Sequence, residues 1–323
     1  MGMLLTQYFI LSIIVVVSSI RISSCVDEFT KRTKIGGAFI AGIVLAGVTS
    51  LPELITSLSS TIVLNNADLA MGDILGSNAF NIFILAVGNL IFIKSRLFNW
   101  TKQLNVKTNV LSTFVYFFIF LNLYGFLTGR IGHIGITSFF ILILYYINIR
   151  LVADGEEQEL LNPKVTCRLR VLVYQFILSA IVIVVSSLLI SVVTDKIARI
   201  SGIGSSFIGA MFLGVATSLP EMASLVSLVR LKNYDLAVGN IVGSNLFNFV
   251  IIALADICYV SGSIFEFLDT SNRLLVIVGL LESILLTYML LRKEVKNLLL
   301  YVLPSLMIIF IYFYYLRLSL NNG

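Results

Sequence analysis

The chain has 323 residues, of which 58% are apolar and only 12% charged. Soluble domains carry roughly 45–50% apolar and about 25% charged residues, so the solvent for this surface is largely lipid. That excludes a soluble enzyme, a disordered protein and a nucleic-acid-binding domain, and the net charge of +5 is not a nucleic-acid signal. Cys25, Cys167 and Cys258 are far apart, without a CxxC or a nearby His, and read as incidental thiols. No Lys or Arg precedes the first apolar run, so it is expected to remain as a span rather than leave as a signal peptide.

A spanning helix needs roughly 20 apolar residues. Ten segments qualify: about 4–24, 38–62, 69–93, 108–128, 132–149, 171–194, 206–229, 236–260, 274–291 and 298–316. They are too long and continuous for barrel strands. The expected class is an all-α polytopic membrane protein of ten transmembrane helices. Lys and Arg number sixteen in connections 1–2, 3–4, 5–6, 7–8 and 9–10, against five on the opposite side, with Arg21 inside the first span. This bias places both termini outside the cytoplasm and suggests a multi-pass protein of the cell membrane. The one sizeable polar connection, 151–170, is then cytoplasmic and separates five spans (1–150) from five more (171–323).

The halves repeat. FIAGIVLAGVTSLPE (39–53) returns as FIGAMFLGVATSLPE (207–221), and GDILGSNAFN (72–81) as GNIVGSNLFN (239–248). ILSIIVVVSS (10–19) echoes ILSAIVIVVSS (177–187), with Asp27 opposite Asp195. With an odd number of spans per half, the second repeat is inverted relative to the first, an architecture that places substrate near the midplane.

Pro52 and Pro220 lack an N–H and crowd the preceding turn, so each is expected to break its span in mid-membrane. Val48 and Ala216 then lose the donors to their carbonyls, with Thr49 and Thr217 loosened beside them. Backbone groups freed at this depth need a partner, which a cation can be. Thr49, Ser50 and Glu53 stand beside one break, and Thr217, Ser218 and Glu221 beside the other. An intramembrane Glu with no basic residue in its span marks a functional site by default. Ser77 and Asn81 share a helix face, as do Ser244 and Asn248. Gly72/Gly76 and Gly239/Gly243 form GxxxG pairs expected to bring each of these helices against a broken one. All the donors are oxygens, which suits Ca²⁺ rather than Zn²⁺ or Cu⁺. The single histidine, His133, sits near a span end.

These paired motifs resemble the α-repeats of the cation/Ca²⁺ exchanger superfamily, and most closely the Na⁺/Ca²⁺ exchanger family in its compact prokaryotic form. The likeness covers the ten-span plan and both signature regions, about 37–93 and 205–260. It implies Glu53 and Glu221 as central ligands, supported by Thr49, Ser50, Ser77, Asn81, Thr217, Ser218, Ser244 and Asn248. It also implies Ca²⁺ and Na⁺ as substrates exchanged by alternating access, with no resident cofactor and no catalytic residue. The proton-coupled branch has Gly-Asn-x-x-Glu where this chain has Thr-Ser-Leu-Pro-Glu twice, which favours Na⁺. Asn248 stands where K⁺-dependent relatives have Asp, which argues against K⁺. The short central connection leaves no room for the regulatory insertion of eukaryotic exchangers. Protein partners are not legible.

Other acids complete the inventory. Asp73, opposite Asn240, either tunes ion entry or reaches polar surroundings near its span end. Asp256 aligns with Asn89, both expected to hydrogen-bond between helices, and Glu282 has no repeat partner. Two other functions compete. An H⁺/Ca²⁺ exchanger would use the same carboxylates. An intramembrane aspartyl protease would need Asp73, in Ala-Met-Gly-Asp, paired with Asp256, and would leave the duplicated TSLPE unexplained.

Overall fold

The computed structural model describes residues 1–30, 46–154, 169–202, 205–230, 232–266, 268–292, 295 and 297–322. The start of the second expected span, most of the 151–170 connection, Cys167, Lys31, Arg32, Lys34, Lys164, Arg168, Lys293 and Lys296 lie outside the described residues. So does the side chain of Asp27.

Among the described residues eight continuous helices are long and apolar enough to cross a membrane: α1 (Gly2–Thr30), α4 (Ala67–Ile91), α5 (Gln103–Leu123), α6 (Ile136–Asp154), α7 (Leu169–Ser201), α11 (Tyr234–Cys258), α12 (Thr270–Leu291) and α13 (Leu298–Asn322). The two spans carrying TSLPE are interrupted. In the first, α2 (Ala46–Thr49) stops at Ser50, α3 (Leu51–Leu58) resumes with Pro52 in its first turn, and a π-helical turn (Ser59–Val63) follows. In the second, α8 (Ser205–Ile208), a π-helical segment (Gly209–Gly214) and α9 (Val215–Thr217) lead to a break at Ser218. Beyond it runs α10 (Leu219–Arg230), with a bend of 40° at the break. The prolines act as expected, because each lacks the N–H that would carry the helix through. The π-turns are not related by the repeat: one follows its proline and the other precedes it.

Local chemistry sets the helix starts. The Asn66 side chain caps α4 by accepting from Leu69 N (3.0 Å), and Asp269 caps α12 by accepting from Asn272 N (2.8 Å). The fourth span runs from Gln103 to Leu123 rather than over 108–128. Its first turns are polar yet find partners in the bundle: Asn105 Nδ2 donates to Asp235 Oδ1 (2.8 Å) and Asn109 Nδ2 to Thr287 Oγ1 (2.8 Å). The apolar residues 124–127 belong instead to the exit turn, where Gly125 takes a positive φ of 76°. A short hairpin, β1 (Arg130–Ile131) with β2 (Ile134–Gly135), leads into α6.

α4 and α11 are the most enclosed helices, and the main apolar core forms around them with α5 and α12. Elsewhere large apolar residues face outward, as on α1 (Phe9, Ile13), α7 (Tyr174, Ile177, Ile181) and α13 (Phe310, Phe313). In lipid this is the favourable arrangement, since the tails are as apolar as the side chains. The molecule is a polytopic membrane protein of two inverted repeats.

The GxxxG expectation holds in the first repeat, where the glycines meet a broken span, and needs correction in the second. A Cβ on Gly72 would strike the backbone of Ser206, and one on Gly76 would meet Ala210. Reciprocally, Gly209 faces the Leu69 carbonyl and Gly214 the Ser77 N–H. The first repeat's glycines therefore admit the broken span of the second repeat, not their own. Gly239 instead faces the Asn105 side chain. Only tertiary placement selects which helix fills a groove. Gly76→Ala should cost about 1–3 kcal/mol, because backbone against backbone leaves nothing to yield. Gly47→Ala should be close to neutral, as its nearest neighbour is the Phe247 ring at 3.9 Å. Thermal unfolding of the two variants in detergent checks the contrast.

Candidate functional site: an oxygen cage between the repeats

α4 and α11 meet near their midpoints, and two asparagines from each bind reciprocally. Asn78 Nδ2 donates to the Asn245 carbonyl and Asn245 Nδ2 to the Asn78 carbonyl, both at 3.2 Å. Asn81 Nδ2 donates to Asn245 Oδ1 and Asn248 Nδ2 to Asn78 Oδ1, both at 2.9 Å. The four bonds are related in pairs by the approximate twofold of the inverted repeats. They also decide orientation. With their amide N–H groups engaged, Asn81 and Asn248 turn away Oδ1 atoms that are buried and have no hydrogen-bond partner.

The breaks deliver the rest. Ser77 Oγ lies 3.4 Å from Glu53 Oε1 of its own repeat and 3.3 Å from Thr217 Oγ1 of the other. Ser244 Oγ lies 3.4 Å from Glu221 Oε1 and 3.2 Å from Thr49 Oγ1. Each serine thus joins its own glutamate to the opposite threonine. Symmetry ends at Ser218, whose hydroxyl reaches Ser77 Oγ (2.8 Å), while Ser50 Oγ has no partner. All ten residues singled out from the motifs are fully buried or nearly so, and all but Asn81 and Asn248 flank a break or face one. The structure joins Glu53, Ser77, Thr217 and Ser218 in one chain of contacts and Glu221, Ser244 and Thr49 in another, while Asn81 and Asn248 lie one turn beyond the serines and bond to Asn245 and Asn78.

Five oxygens of this cluster are buried without any donor: Ser50 Oγ, Glu53 Oε2, Asn81 Oδ1, Glu221 Oε2 and Asn248 Oδ1. A buried acceptor left unpaired costs about 1–3 kcal/mol, and more when charged. Among the described residues the ion pairs are Arg130–Glu266 and Arg199–Asp195, so no basic side chain balances the two glutamates. An oxygen-only set with this much unspent acceptor capacity matches a hard cation.

One pair was overlooked in the sequence, and one acid is placed by the structure. Asn78 and Asn245 recur in both copies of Gly-Ser-Asn-x-Phe-Asn, so the repeat carried their signal, but only the α4–α11 crossing shows what they hold. Asp73 does not reach a span end: it is fully buried beside the cage. Its Oδ2 accepts from Thr56 and from Ser57 (3.0 Å), and its Oδ1 lies 3.5 Å from Thr217 Oγ1. Asp256 accepts from Gly135 N, Ser138 Oγ, Ser263 Oγ and Ile264 N, so it fastens the hairpin and the turn after α11 as well as α6. Asn89 binds Ser305 and Tyr301 on α13, the expected bond between helices. Asp73 and Asp256 have separate partners and form no dyad, which removes the basis for a protease. His133 lies by the hairpin, 2.9 Å from the Ile257 carbonyl.

A ten-helix membrane fold whose inverted repeats close on buried oxygens defines an ion-translocating carrier. The family model described as sodium/calcium exchanger protein matches residues 4–153 and 171–321, and the chain belongs to that family. It is 27% identical over 254 residues to the inner membrane protein YrbG of Escherichia coli (strain K12), covering 74% of this chain and 75% of that one. Among solved structures, the H⁺/Ca²⁺ exchanger CAX aligns with a TM-score of 0.70 at 17% identity, over 99% of this chain and 90% of its own. The sodium-calcium exchanger NCX_Mj, soaked with Na⁺ and Sr²⁺, aligns with a TM-score of 0.64 at 21% identity, over 97% and 98%. The chain is therefore a multi-pass membrane antiporter of the Ca²⁺ exchanger type.

Asn78→Ala strips the acceptor from Asn248 and should cost about 1–3 kcal/mol of stability, since a buried N–H is left unpaired. Asn78→Asp keeps that acceptor, loses the donor to the Asn245 carbonyl and adds a buried carboxyl that can take up a proton. Thermal unfolding should therefore rank the parent first and Asn78→Ala below Asn78→Asp if the orienting bond is the larger contribution.

Proposed function

We propose that the protein exchanges Ca²⁺ for Na⁺, with both ions held in turn by the cage. Glu53 and Glu221 are the central ligands. Thr49, Ser50, Ser77, Asn81, Thr217, Ser218, Ser244 and Asn248 supply the remaining oxygens. The observation that carries this reading is the set of five donorless buried oxygens, two of them carboxylate, at the junction of the repeats. Two ionised glutamates in a low-dielectric site are costly to carry empty. One Ca²⁺ or several Na⁺ neutralise them, and both compete for the same oxygens, so the loaded forms reorient and the empty one does not. That is the physical basis of exchange rather than leak.

Na⁺ is favoured over H⁺ by the duplicated Thr-Ser-Leu-Pro-Glu and by the hydroxyls that accompany it. Asn248 adds an uncharged oxygen where K⁺-dependent relatives have Asp. The excess of Lys and Arg in one set of connections supports a reading in which both termini lie outside the cytoplasm. With α4 running inward from Ala67, Asp73 then lies on the outer side of the cage, where its charge draws cations toward Glu53.

Vesicles reconstituted with the protein and loaded with Na⁺ should take up Ca²⁺ in proportion to the Na⁺ gradient, with or without an imposed pH gradient. Uptake that ignores Na⁺ and follows pH would establish proton coupling instead. Glu53→Gln and Glu221→Gln keep volume and remove one charge each, so either should abolish Ca²⁺-coupled transport in protein that remains folded by size-exclusion chromatography. Exchange at the parental rate in either variant would remove that residue from the cage.

A further inference from the structure

Asp73 stands one turn before Ser77 on the same face of α4 and is 0% exposed. Among the described residues no lysine or arginine pairs with it. Its two oxygens are held differently. Oδ2 accepts from the Thr56 and Ser57 hydroxyls of α3, the second at 3.0 Å. Among the described residues Oδ1 has one hydrogen-bonding neighbour, Thr217 Oγ1 at 3.5 Å, where α9 ends. That hydroxyl has a single proton and a nearer acceptor, the Leu213 carbonyl at 2.9 Å. Two donors therefore fix the carboxylate by one oxygen and leave the other facing the break without a proton.

The pocket for this acid exists in one repeat. At the 167-residue offset Asp73 becomes Asn240, and at 168 Ser57 becomes Leu225. The acid and a hydroxyl that holds it are thus absent together from the second copy. Asn240 is equally buried, yet neither end of its amide has a partner.

Spacing identifies what Oδ1 faces. From it the oxygens run to Thr217 Oγ1 (3.5 Å), on to Ser77 Oγ (3.3 Å) and then to Glu53 Oε1 (3.4 Å). Hydroxyl hydrogen bonds centre at about 2.7–2.8 Å, so these steps are long for bonds. Two oxygens at about 2.3–2.6 Å from one cation, at right angles to each other, lie about 3.3–3.7 Å apart. The row has the spacing of adjacent ligands around an ion, and Na⁺ is close to Ca²⁺ in radius.

We propose that Asp73 is a third carboxylate ligand of the transport path, holding one Na⁺ through Oδ1 together with the Thr217 and Ser77 hydroxyls. The inference rests on the Na⁺/Ca²⁺ reading above and adds to it a charged Na⁺ position on one side of the cage only. One carboxylate oxygen among neutral hydroxyls balances a single charge, whereas Ca²⁺ takes the glutamate pair. Asn240 and Leu225 give the second repeat no equivalent. A Na⁺ held here uses Thr217 and Ser77, which the cage also needs, so it competes with Ca²⁺ by contact and not only by its field.

Displacement of radiolabelled Ca²⁺ by Na⁺ from the purified full chain tests this without transport. Asp73→Asn keeps the volume. It should raise the Na⁺ concentration that displaces half the Ca²⁺ by at least about tenfold, the loss that removing even an outer partner of a metal ligand brings. Asp73→Glu keeps the charge but moves the oxygens by one methylene, so a ligand loses Na⁺ potency and a distant charge does not. Parental Na⁺ potency in either variant overturns the proposal. Should Asp73→Glu fail to fold, crystals of the parent soaked with Tl⁺, a heavy stand-in for Na⁺, give the second test. An anomalous peak in contact with Asp73 Oδ1 supports the site, and peaks confined to the two glutamates overturn it. Glu53→Gln, measured alongside, separates the two readings. If it binds Ca²⁺ like the parent, or if Na⁺ displaces no Ca²⁺ from the parent, the exchange reading fails and this inference with it. If Glu53→Gln loses Ca²⁺ while both Asp73 variants match the parent, only the role of Asp73 fails.

Discussion

Buried oxygens that lack a hydrogen-bond donor are the constraint around which this molecule is organised. In lipid there is no water to satisfy them, and among the described residues no lysine or arginine approaches the two cage glutamates. The broken spans, the small residues and the asparagine crossing all serve to hold these oxygens at one place. A helix carried unbroken through Ser50 or Ser218 would turn the Thr-Ser-Leu-Pro-Glu side chains around its circumference. Interruption lets Thr49 and Glu53 of one span serve two different serines, Ser244 and Ser77.

The asparagine crossing explains how the acceptors are aimed. An amide has a donor end and an acceptor end, and fixing one end fixes the other. Asn245 and Asn78 take up the N–H groups of Asn81 and Asn248, so the oxygens of the latter pair are directed without needing a charge. The same twofold logic recurs toward the helix ends. Asn272 binds Asp68, and Asn105 binds Asp235, each pair joining a helix of one repeat to a helix of the other. The repeats are thus fastened at the centre and at both ends of α4 and α11, while the glycines of α4 admit the broken span of the second repeat between these fixed points.

Symmetry is broken where the two copies differ in sequence. Asp73 has Asn240 as its counterpart, and only the acid is held by hydroxyls beside the cage. Glu282 has Val115 as its counterpart and puts a fully buried carboxyl on α12 where the first repeat has an apolar side chain. An antiporter built from inverted copies needs such differences if its two faces are to behave differently, because a perfect twofold would make inward and outward forms equivalent.

The sequence by itself determined the solvent, the ten-span plan and the inversion, and it singled out the ten buried oxygen-bearing residues that we propose for the cage. Hydropathy fixes which segments prefer lipid, and a motif recurring at an offset of 167 or 168 residues reports a duplicated site without any coordinates. Tertiary structure alone decided that Asn78 and Asn245 orient the cage, that Asp73 is buried beside it, and that Gly72 and Gly76 receive the opposite repeat. It also moved the fourth span back to Gln103, since polar residues at a helix start are tolerated only when a neighbouring helix supplies their partners. These outcomes depend on which side chains meet across the repeat interface. Hydrogen-bond pairing and groove filling are properties of two surfaces together, and neither surface specifies its partner along its own stretch of chain.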